Sequence, residues 1–107
     1  MFQRAVFSMP TVSNVVQYAV DLAHKTRPGN ERATETVNRL VSWGAGPRAS
    51  QFLVLAAKTH AAMNGKFTPD IEDVKAIAAP VLRHRIVLNY QADAEARSVE
   101  DLIAELL

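Results

Sequence analysis

Trp43-Gly44-Ala45-Gly46-Pro47-Arg48-Ala49-Ser50-Gln51-Phe52 opens an apolar stretch that runs without a breaker to about Asn64, and its reading decides the fold. Gly44 and Gly46 interrupt regular backbone. Pro47 suits the first position of a helix, where a missing N–H costs nothing and its fixed φ is already helical. Beyond it Ala49, Phe52, Leu53, Val54, Leu55, Ala56, Ala57, Ala61, Ala62 and Met63 cover most of a helical circumference. A helix apolar nearly all round is a central one, so a bundle is expected to form around it. Arg48, Gln51 and Lys58 fall near one edge of that helix.

Arg48 stands out. In the first helical turn a cation opposes the helix dipole and costs ~0.3–1 kcal/mol. Two readings stand. It is an exposed arginine tolerated through solvent screening, or its guanidinium meets a phosphate or carboxylate near the free N–H groups of the helix start.

Working outward, a short helix is expected from about Thr34, capped by Thr34, with Val37, Leu40 and Val41 at helical spacing. Val41-Ser42-Trp43 reads equally well as extended chain. Trp43 reads as a packing anchor beside the glycine turn rather than a stacking surface for a ligand. Thr26-Arg27-Pro28-Gly29-Asn30 is a stop and turn. Before it, a helix capped by Thr11 or Ser13 runs to about Lys25, with Val12, Val15, Val16, Ala19, Leu22 and Ala23 on its packing face. Asp21 and Lys25 make an i,i+4 pair of the favourable order. Residues 1–9 hold Phe2, Val6 and Phe7 in a weakly amphipathic pattern, read as the end of a connection from a preceding domain, and Pro10 interrupts it.

On the other side, Asn64-Gly65 ends the central helix. Thr68-Pro69 or Asp70 starts the next, with Asp70, Glu72 and Asp73 favourably placed for its dipole and Ile71, Val74, Ile77 and Ala78 as its buried stripe. Pro80 restarts the chain into a short helix that gives way to extended backbone around Ile86 to Tyr90. Gln91 to Arg97 reads as a loop. Ser98 and Asp101 have capping-box spacing for a last short helix with Leu102, Ile103, Leu106 and Leu107 on its apolar face.

Three of these segments recur together in one known arrangement. Trp43 to Ser50 with the Leu/Ala-rich helix, Thr68-Pro69-Asp70-Ile71-Glu72-Asp73-Val74, and Val81-Leu82-Arg83-His84-Arg85 resemble, in order and spacing, the C-terminal helical lid of MoxR-type AAA+ ATPases. The resemblance runs from about Pro10 to the end. It implies an all-α bundle of four to five helices, a lid over residues 10–107, and a connection from an ATPase core over 1–9. It further implies that Arg48, supported by Gly46 and Pro47, is the sensor-2 arginine reaching the nucleotide's terminal phosphate. Arg83 and Arg85 fall in a family motif that contacts the core, the nucleotide or a neighbouring subunit; read alone, they make a solvated turn pairing with local acids. The parent protein is then expected to bind ATP and Mg2+, to form a homo-oligomeric ring, and to remodel or activate client protein complexes in the cytoplasm.

Bulk properties limit the alternatives. With 107 residues, 49% hydrophobic and 21% charged, the chain is one globular domain. A formal net charge of +1 supplies no broad attraction to nucleic acid. The absence of cysteine excludes disulfides and thiolate-ligated metal, and suits a reducing compartment. No apolar run approaches a membrane span. No Gly-x-x-x-x-Gly-Lys-Ser/Thr loop or strand-borne acidic pair is present, so the chain alone is expected to hydrolyse nothing and to hold no nucleotide. His24, His60 and His84 lack metal-ligand spacing, and His60 reads as a packed or hydrogen-bonded residue at the core edge. The alternative to a lid is a free-standing helical module that binds protein or nucleic acid through Arg83, Arg85 and Arg48.

Overall fold

The computed structural model describes residues 13–107. Six helices and a two-stranded ribbon follow one another as α1 (Ser13–Lys25), α2 (Glu35–Leu40), β1 (Val41–Trp43), α3 (Ala49–Met63), α4 (Ile71–Leu82), β2 (Val87–Leu88), α5 (Tyr90–Ala94) and α6 (Val99–Leu106). The linker over 1–9, the break at Pro10, the cap at Thr11 and the packing of Val12 fall outside the described residues. Among those described, no helix is long and apolar enough to cross a membrane.

Local chemistry sets most boundaries. Thr34 caps α2 by accepting from Val37 N at 3.2 Å. Asp70 and Asp73 form a reciprocal capping box on α4, as Ser98 and Asp101 do on α6. At the end of α3, Gly65 takes a φ of +76°, letting Lys66 N donate to Ala61 O at 2.9 Å and Gly65 N to Ala62 O at 3.1 Å. This left-handed residue closes the last turn's orphan carbonyls.

α3 packs between α1 and α4. Its buried stripe is Ala49, Leu53, Ala57 and Ala61, and the small residues let the neighbouring helices approach closely. Val15, Ala19, Leu22 and Ala23 of α1, Val74, Ala78 and Leu82 of α4, and Leu102, Ile103 and Leu106 of α6 complete one core. The helix is central but not enclosed. Phe52 and Met63, expected inside, are 41% and 75% exposed, because only one stripe of α3 is covered from each side. Val16 likewise turns outward from the α1 face.

Other expectations are corrected. α3 begins two residues later than expected, so Pro47 precedes the cap and Arg48 is the cap. α4 continues through Pro80, which lies at an exposed position between the packed Ala78 and Leu82. The Gln91 to Arg97 loop contains α5, capped by Asn89, whose side chain accepts from Ala92 N at 3.2 Å. β1 is extended and pairs antiparallel with β2 through Val41–Leu88 and Trp43–Val87, with a register irregularity between Val41 and Trp43. That irregularity breaks the two-residue alternation, so Val41 is buried while Trp43, expected to anchor packing, is 73% exposed. Asp21 engages Gln17 at 2.8 Å and Arg32 at 3.5 Å rather than Lys25.

Candidate functional site

The loop before α3 is fixed by the end of α1. Thr26, fully buried, donates through Oγ1 to Ala23 O at 2.7 Å and accepts from Ala45 N at 2.9 Å. Arg27 donates from Nε to Ala45 O at 2.8 Å and from Nη2 to Gly46 O at 3.0 Å. A Cβ on Gly44 would lie 2.3 Å from the Thr26 carbonyl oxygen and 2.6 Å from Arg27 Cα, so only glycine permits this approach. Gly46 has open space around it and contributes its carbonyl, which also accepts from Ala49 N at 3.1 Å. This closes a type I turn over Pro47 and Arg48, whose φ of −91° and ψ of 0° suit its third position.

The turn leaves Arg48 at the positive end of α3. Its carbonyl accepts from Phe52 N at 3.1 Å, but its side chain makes no capping bond, and the first turn carries no acid. Among the described residues no carboxylate pairs with Arg48. Arg85 approaches from beyond α4. Its guanidinium lies 4.5 Å from the centroid of the Phe52 ring, and Nη1 donates to Val81 O at 2.8 Å. Gly46, Pro47, Arg48, Ala49, Phe52 and Arg85 line one open cleft of about 410 Å³. Two guanidiniums and no carboxylate make it receptive to anions.

The structure thus separates the two arginines of the Arg83-His84-Arg85 motif. Arg83 Nε lies 2.9 Å from Glu100 Oε1 and ties the end of α4 to α6. Arg85 joins Arg48. Among the described residues, no group of three or more His, Asp or Glu is gathered as metal ligands.

A second polar cluster stands at the other end of α3. His60 Nδ1 and Asp73 Oδ1 are 2.7 Å apart, and Lys66 Nζ reaches Asp73 Oδ2 at 3.1 Å. Beside it, Phe52, Leu55, Ala56, Met63, Ile77, Pro80, Val81 and Arg85 contribute to an apolar groove of about 520 Å³. Phe52 and Arg85 border both groove and cleft, so the two are continuous.

Thr26, Arg27 and Phe52 were not legible as site residues. Thr26 and Arg27 read only as a helix stop. Phe52 reads as core, although its position four residues after Arg48 places the two on one face of α3 and was the available signal.

The AAA lid domain family matches residues 33–106. "Chaperone MoxR1" of Mycobacterium tuberculosis is 36% identical over 93 residues, covering 87% of this chain and 25% of that protein. "Protein MoxR" of Paracoccus denitrificans is 42% identical over 60 residues, 54% of this chain and 18% of that one. A crystal structure from Cytophaga hutchinsonii, provisionally described as an ATPase, superimposes with a TM-score of 0.88 at 30% identity, covering 96% of this chain and 31% of that one. The chain therefore spans a quarter or less of the length of these two MoxR relatives.

Proposed function

This chain belongs to the AAA lid domain family, as the lid of a MoxR-type AAA+ ATPase, and from that premise we propose that it covers nucleotide held by a separate core domain of its parent protein. The observation that carries this reading is Arg48, a cation without a carboxylate partner among the described residues, fixed at the start of a helix that has no acidic first turn. Arg48 borders the open cleft at the positive end of this helix, where its forked donors suit an entering anion. Arg48 is then the sensor-2 arginine. ATP and its hydrolysis product contact it differently, and the lid shifts only as far as those contacts differ.

The residues present fit the phosphate end of a nucleotide. They supply no cluster of Mg2+ ligands among the described residues, and the core is proposed to provide one. Mg2+ held by the core together with the nucleotide would offset the negative charge of the β- and γ-phosphates, leaving Arg48 to answer the rest. The apolar groove supports the same arrangement, since a core that presents nucleotide to Arg48 also covers the adjoining Phe52 and Met63. Assembly into a homo-oligomeric ring, remodelling or activation of client protein complexes, and a cytoplasmic location belong to the same proposal.

Arg48→Ala in the full-length ATPase tests it. Turnover is expected to fall by about 10²- to 10³-fold, the scale for losing one preorganised charge-stabilising donor, with the melting temperature of the lid unchanged. Unchanged turnover removes Arg48 from the mechanism.

A further inference from the structure

Arginines in this fold are otherwise spoken for. Arg32, Arg39, Arg83 and Arg97 meet Asp21, Glu35 with Glu95, Glu100 and Glu105 respectively, while Arg27 is occupied by the Ala45 and Gly46 carbonyls. Like Arg27, Arg48 and Arg85 meet no carboxylate among the described residues, but unlike Arg27 these two border one open cleft. Two guanidiniums facing one space repel each other, and an anion between them reverses the sign of that interaction.

Phe52 accounts for their meeting. It follows Arg48 by four residues, and its exposed ring lines the same cleft as the arginine. Arg85 lies over that ring at 4.5 Å, an arrangement in which the aromatic face attracts the cation and holds its plane. The ring takes the guanidinium's face, and the Val81 carbonyl takes one N–H at 2.8 Å. A guanidinium carries five N–H groups, so donors remain for a ligand. Planar, forked donors suit phosphate oxygens. Two of them lining one cleft suit neighbouring phosphates, whereas one carboxylate would satisfy one arginine.

Resting on the reading of Arg48 as a nucleotide contact, we propose that Arg85 is the second phosphate-binding arginine of this cleft. It takes a phosphate of the same nucleoside triphosphate, with Phe52 as its positioning residue. Arg83 has no part in this contact. It closes α4 onto α6 through Glu100.

The test is nucleotide binding and turnover by the full-length ATPase, using fluorescent ATP and ADP analogues, with oligomer size measured alongside. Arg85→Gln is expected to weaken ATP-analogue binding by about tenfold or more, the scale of one charge-assisted hydrogen-bonding pair. ADP-analogue binding falls less, and melting temperature and oligomer size stay as in the wild type. Arg83→Gln should leave both affinities unchanged. Phe52→Leu should raise the KM for ATP as Arg85→Gln does, and Phe52→Tyr, which keeps a ring, should restore it. Wild-type ATP binding by Arg85→Gln, in an enzyme that Arg48→Ala still impairs, overturns this inference and leaves the lid reading intact. If neither variant changes binding or turnover, both ideas fall. A smaller oligomer at unchanged nucleotide affinity assigns Arg85 to a subunit contact and also overturns the proposal.

Discussion

His60 Nδ1 lies 2.7 Å from Asp73 Oδ1, joining α3 to α4 through a carboxylate only 1% exposed. Burial by itself would raise the Asp73 pKa. The Asp70 backbone N–H at 2.9 Å, His60 and Lys66 more than offset it, and the group is lowered from 3.8 to about 2. One side chain thereby completes the capping box that Asp70 opens on α4 and serves as the polar joint between two packed helices.

The lowered pKa makes the fold acid-sensitive in a defined window. A carboxylate whose folded pKa lies below its unfolded value stabilises the fold fully above about pH 5, and this contribution is lost as pH falls through ~4 toward ~2. It amounts to something on the order of 2 kcal/mol. Asp73→Asn should therefore be clearly less stable than wild type near neutrality, with the difference narrowing in acid. Urea denaturation of both proteins at neutral and acid pH measures the gap. A gap independent of pH would sink the assignment.

Gly44 and Gly46 should respond differently to the same substitution. At Gly44 a methyl group meets the Thr26 backbone, which cannot swing aside as a side-chain end can. Gly44→Ala should cost ~1–3 kcal/mol, the scale of overpacking, visible as a drop in melting temperature on the order of 10 °C. Gly46 has nothing within 4 Å of the same position, and Gly46→Ala should melt close to wild type. Equal melting temperatures for the two variants would refute the role given to Gly44.

Pro80 sits exposed in the last turn of α4, where it removes a helical N–H and crowds the preceding turn. Pro80→Ala should raise stability by about 1–3 kcal/mol, read as an increased urea midpoint with an unchanged slope. A decrease would show that the proline's own packing outweighs the backbone cost.

The failures of the sequence reading share a cause with one another, as do the successes. Pro80 reads as a restart because proline disfavours helix interiors, yet Val81 and Leu82 pack with the rest of α4, and that tertiary gain exceeds the local penalty. α5 is five residues long, too short for a periodic signal, and Asn89 caps it at a point read as the end of extended chain. The size of Trp43 points to packing. A register irregularity in a three-residue strand decided otherwise.

By itself the sequence determined what is settled within a turn of helix: the caps at Thr34 and Ser98, a start for α4 at Thr68-Pro69 or Asp70, the Asn64-Gly65 stop, the buried stripes of α1, α4 and α6 apart from Val16 and Leu107, and the oddly placed cation at Arg48. Those features rest on groups three or four residues apart, whose spacing the chain carries wherever it goes. Only the tertiary structure decided that Thr26 and Arg27 hold the loop before α3, that His60 finds Asp73, and that Arg85 rather than Arg83 comes to Arg48. Each of those contacts joins separate elements. Its geometry is set by how α1, α3 and α4 pack, which residue spacing along one element does not specify.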